Sequence, residues 1–164
     1  MSRSSTVSQS RDIVSLALGK FDGMHVAHQE LFAALKPPGA VLVIDNGPAD
    51  LTPGSAKLKY TEHPIFTCPL EEIRDLSGEA FMELLRENFP ALKQLVVGYD
   101  FRFGRDRQYC AEDMPEFFDG EVAIIDEIRV DNLSVHSGII RELIRQGDIR
   151  RANRLLAHPY AIEG

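Results

Sequence analysis

Two periods of apolar residues alternate along this chain. Ile13 to Leu18 is a short apolar run ending on Gly19, and Gln29 to Leu35 is amphipathic at helical spacing. Together they predict a strand, a glycine-bearing turn and a helix, which Pro37-Pro38 stops. Ala40 to Ile44 is β-branched and reads as a second buried strand, closed by turn chemistry at Asp45-Asn46-Gly47-Pro48. Ala49 to Cys68 has little periodicity and reads as a loop with a short strand near Ile65 to Thr67. Leu70 to Leu76 fits neither period. Ser77 has the chemistry of an N-cap, and Phe81, Leu84 and Leu85 form one helical face before Pro90. Leu95 to Gly98 and Val122 to Ile128 are further strands, and Asp113 to Phe118 reads as helical. After Asp131-Asn132 come two helices, about Ile139 to Gln146 and Ile149 to Leu156, with Gly147 as C′ residue and Asp148 as the second N-cap.

Strands alternating with helices predict an α/β fold: a mainly parallel sheet with helices on both faces. Ligands of such sheets sit beyond the carboxyl ends of the strands. Three loops reach that rim, Gly19 to His28, Asp45 to Pro48 and Tyr99 to Gly104, and His136 to Arg141 follows the fourth strand towards it. The serine-rich stretch 1–11 reads as a disordered tail before one folded domain over 12–158.

Composition narrows the partners. At 164 residues the chain holds one domain with a full core, and its net charge of −7 argues against a nucleic-acid partner. No apolar run is long enough to cross a bilayer, so no membrane partner is expected. Cys68 and Cys110 have no metal or redox spacing, which suits a reducing cytoplasm.

The chemistry concentrates in Gly19-Lys20-Phe21-Asp22-Gly23-Met24-His25-Val26-Ala27-His28. Backbone N–H groups and the positive end of a helix dipole favour an anion there, and two imidazoles beside it point to phosphate. The glycines could instead serve only a tight turn, with both histidines ordinary polar residues. An H-x-x-H metal pair is the third reading, but no further ligand stands at a suitable spacing, so no metal site is assigned.

This run resembles the G-x-F-D-G-x-H-x-G-H motif of the FAD synthetase module in bacterial bifunctional riboflavin kinase/FAD synthetases. Gly98-Tyr99-Asp100-Phe101-Arg102-Phe103-Gly104 is similar to the family's G-x-D-F-R-F-G segment, and Arg141 to Asp148 with Ala152 to Leu156 and Pro159-Tyr160 to the module's end. The resemblance implies a Rossmann-like nucleotidyltransferase fold. The implied reaction moves AMP from ATP to FMN, giving FAD and pyrophosphate, with Mg²⁺ carried on the triphosphate. His25, His28 and Arg141 are the implied catalytic residues. Gly19, Lys20, Phe21, Asp22, Gly23 and Ser137 would join them in binding ATP phosphate, while Asp100, Phe101, Arg102 and Phe103 would lie at the flavin and adenine end. Alternation along the chain is expected to turn only one of the two phenylalanines to the ligand. Residues 159–164 would begin a linker to a riboflavin kinase domain, present as a further domain or as a partner.

Three departures weaken the match. Ala27 stands where the motif has Gly, and Asn46-Gly47-Pro48 lacks the histidine of a family Pro-His-Pro. The family's S-S-T-x-I-R reads His136-Ser137-Gly138-Ile139-Ile140-Arg141, so the threonine hydroxyl is lost at Gly138. Losing one such hydrogen bond to phosphate costs about 1.5–3 kcal/mol, and His136 is a candidate replacement donor. The expectation is a slow enzyme; the alternative is a non-catalytic flavin- or nucleotide-binding scaffold.

Overall fold

The five apolar runs become five parallel strands. The computed structural model describes residues 2–3, 10–22, 24–45 and 61–156. In chain order, β1 is Ser2–Arg3, β2 Ser15–Gly19, β3 Gly39–Asp45, β4 Ile65–Pro69, β5 Gln94–Gly98 and β8 Glu121–Ile125. They form one sheet in the order β1-β4-β3-β2-β5-β8, in which only β1 runs antiparallel. The Rossmann-like α/β expectation therefore holds. Within the tail read as disordered, Ser2–Arg3 pairs with Phe66 and Thr67, and Ser10–Asp12 makes a 3₁₀ turn.

Side-chain alternation divides the core cleanly. Leu16, Leu18, Ala40, Leu42, Leu95 and Val97 face one way, towards Phe81, Met82 and Leu85 of α2 (Gly78–Asn88). Ala17, Val41, Val43 and Val96 face the other way, towards Leu31 and Phe32 of α1 (Val26–Ala33). Most inner strand positions are thus buried on one face or the other, which is why these strands carry apolar runs. The last two helices, α3 (Ser137–Arg145) and α4 (Ile149–Leu156), bury Ile140, Leu143, Ala152 and Leu155 in a separate cluster against Ala27 and Ile128.

The helix signals hold in detail. Ser77 Oγ accepts the Ala80 N–H at 3.1 Å. Gly147 has φ +81, its N–H reaches Ile144 O, and the Asp148 N–H reaches Leu143 O, the paired bonds of a Schellman ending. Asp148 Oδ1 in turn accepts from the Arg151 N–H.

Three elements depart from expectation. Helix α1 begins three residues early, because His25 supplies the cap. Strand β8 stops at Ile125, where exposed Asp126 and Glu127 leave the sheet. Two small hairpins occupy the connections beyond β5 and β8: β6 (Arg102–Phe103) with β7 (Tyr109–Cys110), and β9 (Arg129–Val130) with β10 (Leu133–Ser134). Asp131 and Asn132 close the second hairpin, both left-handed at φ 54 and 63, as a two-residue turn requires.

Candidate active site

Connections leave β2 on one side towards β3, while β5 lies on its other side, making the β2/β5 gap the topological switch point. A cleft of about 830 Å³ opens there, walled by the ends of β2, β3, β5 and β8 and by the entrances of α1 and α3.

The first wall is the turn into α1. His25 is the N-cap, and its Nδ1 accepts the His28 N–H at 3.4 Å. His28 Nδ1 accepts the His25 N–H at 3.3 Å in return. This is a reciprocal capping box built from two imidazoles, whose rings stack at 3.5 Å and 18°. The chemical consequence is a fixed tautomer. With Nδ1 accepting from the backbone, each neutral ring carries its proton on Nε2. Both rings therefore act as N–H donors at a helix start where an anion is already favoured.

The residues around them divide between core and rim. The Phe21 ring is buried, meets His28 edge-on at 5.1 Å and packs on Phe32. A Cβ on Gly19 would lie 3.1 Å from that ring, so a side chain there would need the ring to give by a few tenths of an ångström. Lys20 is exposed and lines the cleft. Gly23 lies outside the described residues, as does the expected turn at Asn46-Gly47-Pro48.

Asp22 is held from behind. Its side chain is 1% exposed and Oδ2 accepts from Arg141 Nη1 at 2.8 Å. Its backbone carbonyl accepts from Ser137 Oγ at 2.6 Å. Ser137 also lines the cleft, and Arg141 reaches it through Asp22, which is itself a lining residue. The start of α3 is thereby fastened to the turn before α1.

The opposite wall is the chain leaving β5. Asp100, Phe101, Arg102 and Phe103 all line the cleft. Phe103 is buried against Phe81, Phe117 and Tyr109, while Phe101 is half-buried. Phe101 precedes β6, and its ring lies nearly parallel to that of Phe103, 6.5 Å away. Arg102 Nε donates to Arg107 O at 2.9 Å and braces the hairpin turn. Tyr99, Arg107 and Asp126 also line the cleft. Tyr99 belongs to the loop expected at the rim, whereas Arg107 and Asp126 were missed in sequence, although Asp126 directly follows a strand end, the position that marks ligand loops in parallel sheets.

The chain is 31% identical over 157 residues to a bifunctional riboflavin kinase/FMN adenylyltransferase of Mycoplasma pneumoniae, covering 92% of this chain and 56% of that protein. In sequence, this chain resembles the FAD synthetase module of that family. The module is also 27% identical over 176 residues to the bifunctional enzyme of Bacillus subtilis, covering 91% of this chain and 55% of that protein. An FAD synthetase of Listeria monocytogenes is 28% identical over 174 residues, covering 91% of this chain and 70% of that protein. The module thus spans little over half the length of its bifunctional relatives. A crystal structure titled as a macrolide-efflux protein from Streptococcus pneumoniae superposes with a TM-score of 0.81 at 24% identity, over all of this chain and 64% of that one. That likeness shows the fold alone. No family model matches the chain.

The departures from the family motif fall in different places. Ala27 lies inside α1, away from any left-handed backbone, so its methyl costs no strain. Gly138 is exposed near the start of α3, and a Cβ there would meet nothing within 4 Å. Neither cysteine is primed as a nucleophile: burial pushes the Cys68 thiol up, and the hydrogen bond to Asp113 pushes Cys110 up.

Proposed function

We propose that the module transfers AMP from ATP to FMN, releasing pyrophosphate and forming FAD. The observation that carries this reading is the histidine capping box, which sets both imidazoles in the lining of the switch-point cleft. An FMN phosphate oxygen would attack the α-phosphorus of ATP. As that bond forms, the bond from the α-phosphorus to the α–β bridging oxygen breaks, and its electrons leave with pyrophosphate. The attacking phosphate is already anionic at pH 7, so no strong base is needed. The residues instead orient the two anions and neutralise charge.

Within that scheme His25 and His28 would donate from Nε2 to the phosphates, and Lys20 would add positive charge at the rim. Phe101, beside Arg102, would offer a flat face to an aromatic ring. Among the described residues no three His, Cys, Asp or Glu side chains converge as a metal site, which suits Mg²⁺ held by phosphate oxygens and water. When bound, the ion would offset the triphosphate charge.

The segment from His136 to Arg141 supports a slow reaction. Ser137 Oγ and Arg141 are both engaged with Asp22, and Gly138 has no hydroxyl to offer. Losing one hydrogen bond to phosphate would slow transfer roughly ten- to a hundredfold. Riboflavin phosphorylation would need a further domain or partner. No helix among the described residues is long and apolar enough to span a membrane, in keeping with a cytoplasmic role.

The test is incubation of the chain with ATP, Mg²⁺ and FMN, followed by chromatography. The expected outcome is FAD and pyrophosphate in equal amounts. FMN binding without FAD formation would favour the scaffold reading instead.

A further inference from the structure

Across the cleft mouth, His136 Nε2 and the Tyr99 hydroxyl lie 2.8 Å apart. The other ring nitrogen, Nδ1, faces Asp100 Oδ2 at 3.6 Å, close enough for attraction but long for a hydrogen bond. His136 is the N-cap of α3, yet its side chain makes no capping bond. An imidazole at a helix entrance that leaves the cap unmade and reaches to another element is serving that other element.

Both partners ride on fixed backbone. The Tyr99 N–H donates to Ile125 O, holding Tyr99 against the end of β8. The Val135 N–H donates to Ile128 O, holding the approach to His136. Beyond Tyr99 lie Phe101 and Arg102, the ring-binding end of the proposed site. Immediately after His136 lies Ser137, whose hydroxyl holds the Asp22 carbonyl in the phosphate-binding turn. The two residues therefore join the wall that would hold the aromatic ligand to the wall that would hold the triphosphate.

We propose that the Tyr99–His136 pair is a positioning bridge setting the distance between the ring-binding and phosphate-binding ends of the cleft. The inference rests on the adenylyl-transfer reading and adds two residues to it. A reaction between two bound ligands is sensitive to such spacing, because small displacements of the reacting atoms cost large factors in rate. Aligning the ligands acts on the transfer step more than on either ligand's separate affinity, so the effect belongs in kcat.

The experiment is a double-mutant cycle with Tyr99→Phe, His136→Ala and the double variant, and His136→Gln as a rescue. FAD formation gives kcat and both KM values, and thermal melting reports the fold. Each single variant is expected to lower kcat about tenfold with an unchanged melt, the worth of one hydrogen bond. The double variant should be no slower than the worse single one, and His136→Gln should recover part of the rate. Singles that leave kcat unchanged, losses that multiply in the double variant, or losses seen only with a lowered melt would each overturn the bridge. If the unaltered chain makes no FAD yet binds FMN, the transfer reading fails separately. The same four variants are then compared by the effect of ATP–Mg²⁺ on the FMN Kd: a shared loss of that coupling supports the bridge, and an unchanged coupling overturns it. Failure of the unaltered chain to bind either ligand overturns both.

Discussion

Two helix entrances face the same cleft, and they are held in opposite ways. The entrance of α1 is satisfied within itself: His25 and His28, three residues apart, cap one another. The entrance of α3 is held from elsewhere. His136 reaches Tyr99, 37 residues away, while Ser137 and Arg141 reach Asp22 across 115 and 119 residues. A local cap is made by residues that are already neighbours in the sequence. A long-range clasp positions its groups only when both of its elements are in place. One entrance supplies chemistry; the other sets where that chemistry sits.

Breaking the local entrance should produce the largest loss of activity. His28→Ala removes a proposed phosphate donor and half of the reciprocal cap. Turnover is expected to fall by about two orders of magnitude, and stability by about 0.5–2 kcal/mol. Steady-state FAD formation beside a urea titration separates the two. Equal turnover in a well-folded variant would remove the histidine from the mechanism.

Breaking the long-range clasp should act on stability as well. Arg141→Ala leaves the buried Asp22 carboxylate without its guanidinium, a change worth about 3 kcal/mol for a buried pair. Arg141 is itself 29% exposed, so water will recover part of that loss. The denaturation midpoint should drop, and the thermal shift given by ATP–Mg²⁺ should shrink because the turn before α1 loses its brace. A full ATP shift in the variant would show that the clasp does not position the phosphate loop.

The smallest effect tests whether the α3 entrance can be given chemistry of its own. Gly138→Thr has open space for its side chain and replaces a poor helix former, so stability should rise by a few tenths of a kcal/mol. If the hydroxyl reaches phosphate, turnover should rise by about tenfold. A gain in stability without a gain in rate would confine this entrance to positioning.

The same contrast explains what was legible in the sequence. Ser77, Gly147 and Asp148 announced helix ends because caps are settled by neighbours three to five residues away. The apolar runs announced the strands because most inner positions are buried on one face or the other. The two histidines were expected at the entrance of α1, but their reciprocal cap was not, because histidine is an unusual cap and the bond needs both rings turned inwards. No local pattern couples Asp22 to Arg141 or Tyr99 to His136. Their meeting depends on the sheet order, which brings together stretches far apart in the chain. Hairpins with strands of two residues are too short for any periodicity to reveal.

The clasp on Asp22 also has a meaning for the order in which the protein is made. Synthesis runs from the N-terminus, so β2, β3, β4, β5 and β8 can all be laid down before Arg141 has been added. At that moment the nascent chain has a complete set of parallel strands, but the guanidinium that Asp22 holds in the finished fold has yet to be made. Assembly of the site therefore waits for α3, which is added after every strand of the parallel sheet.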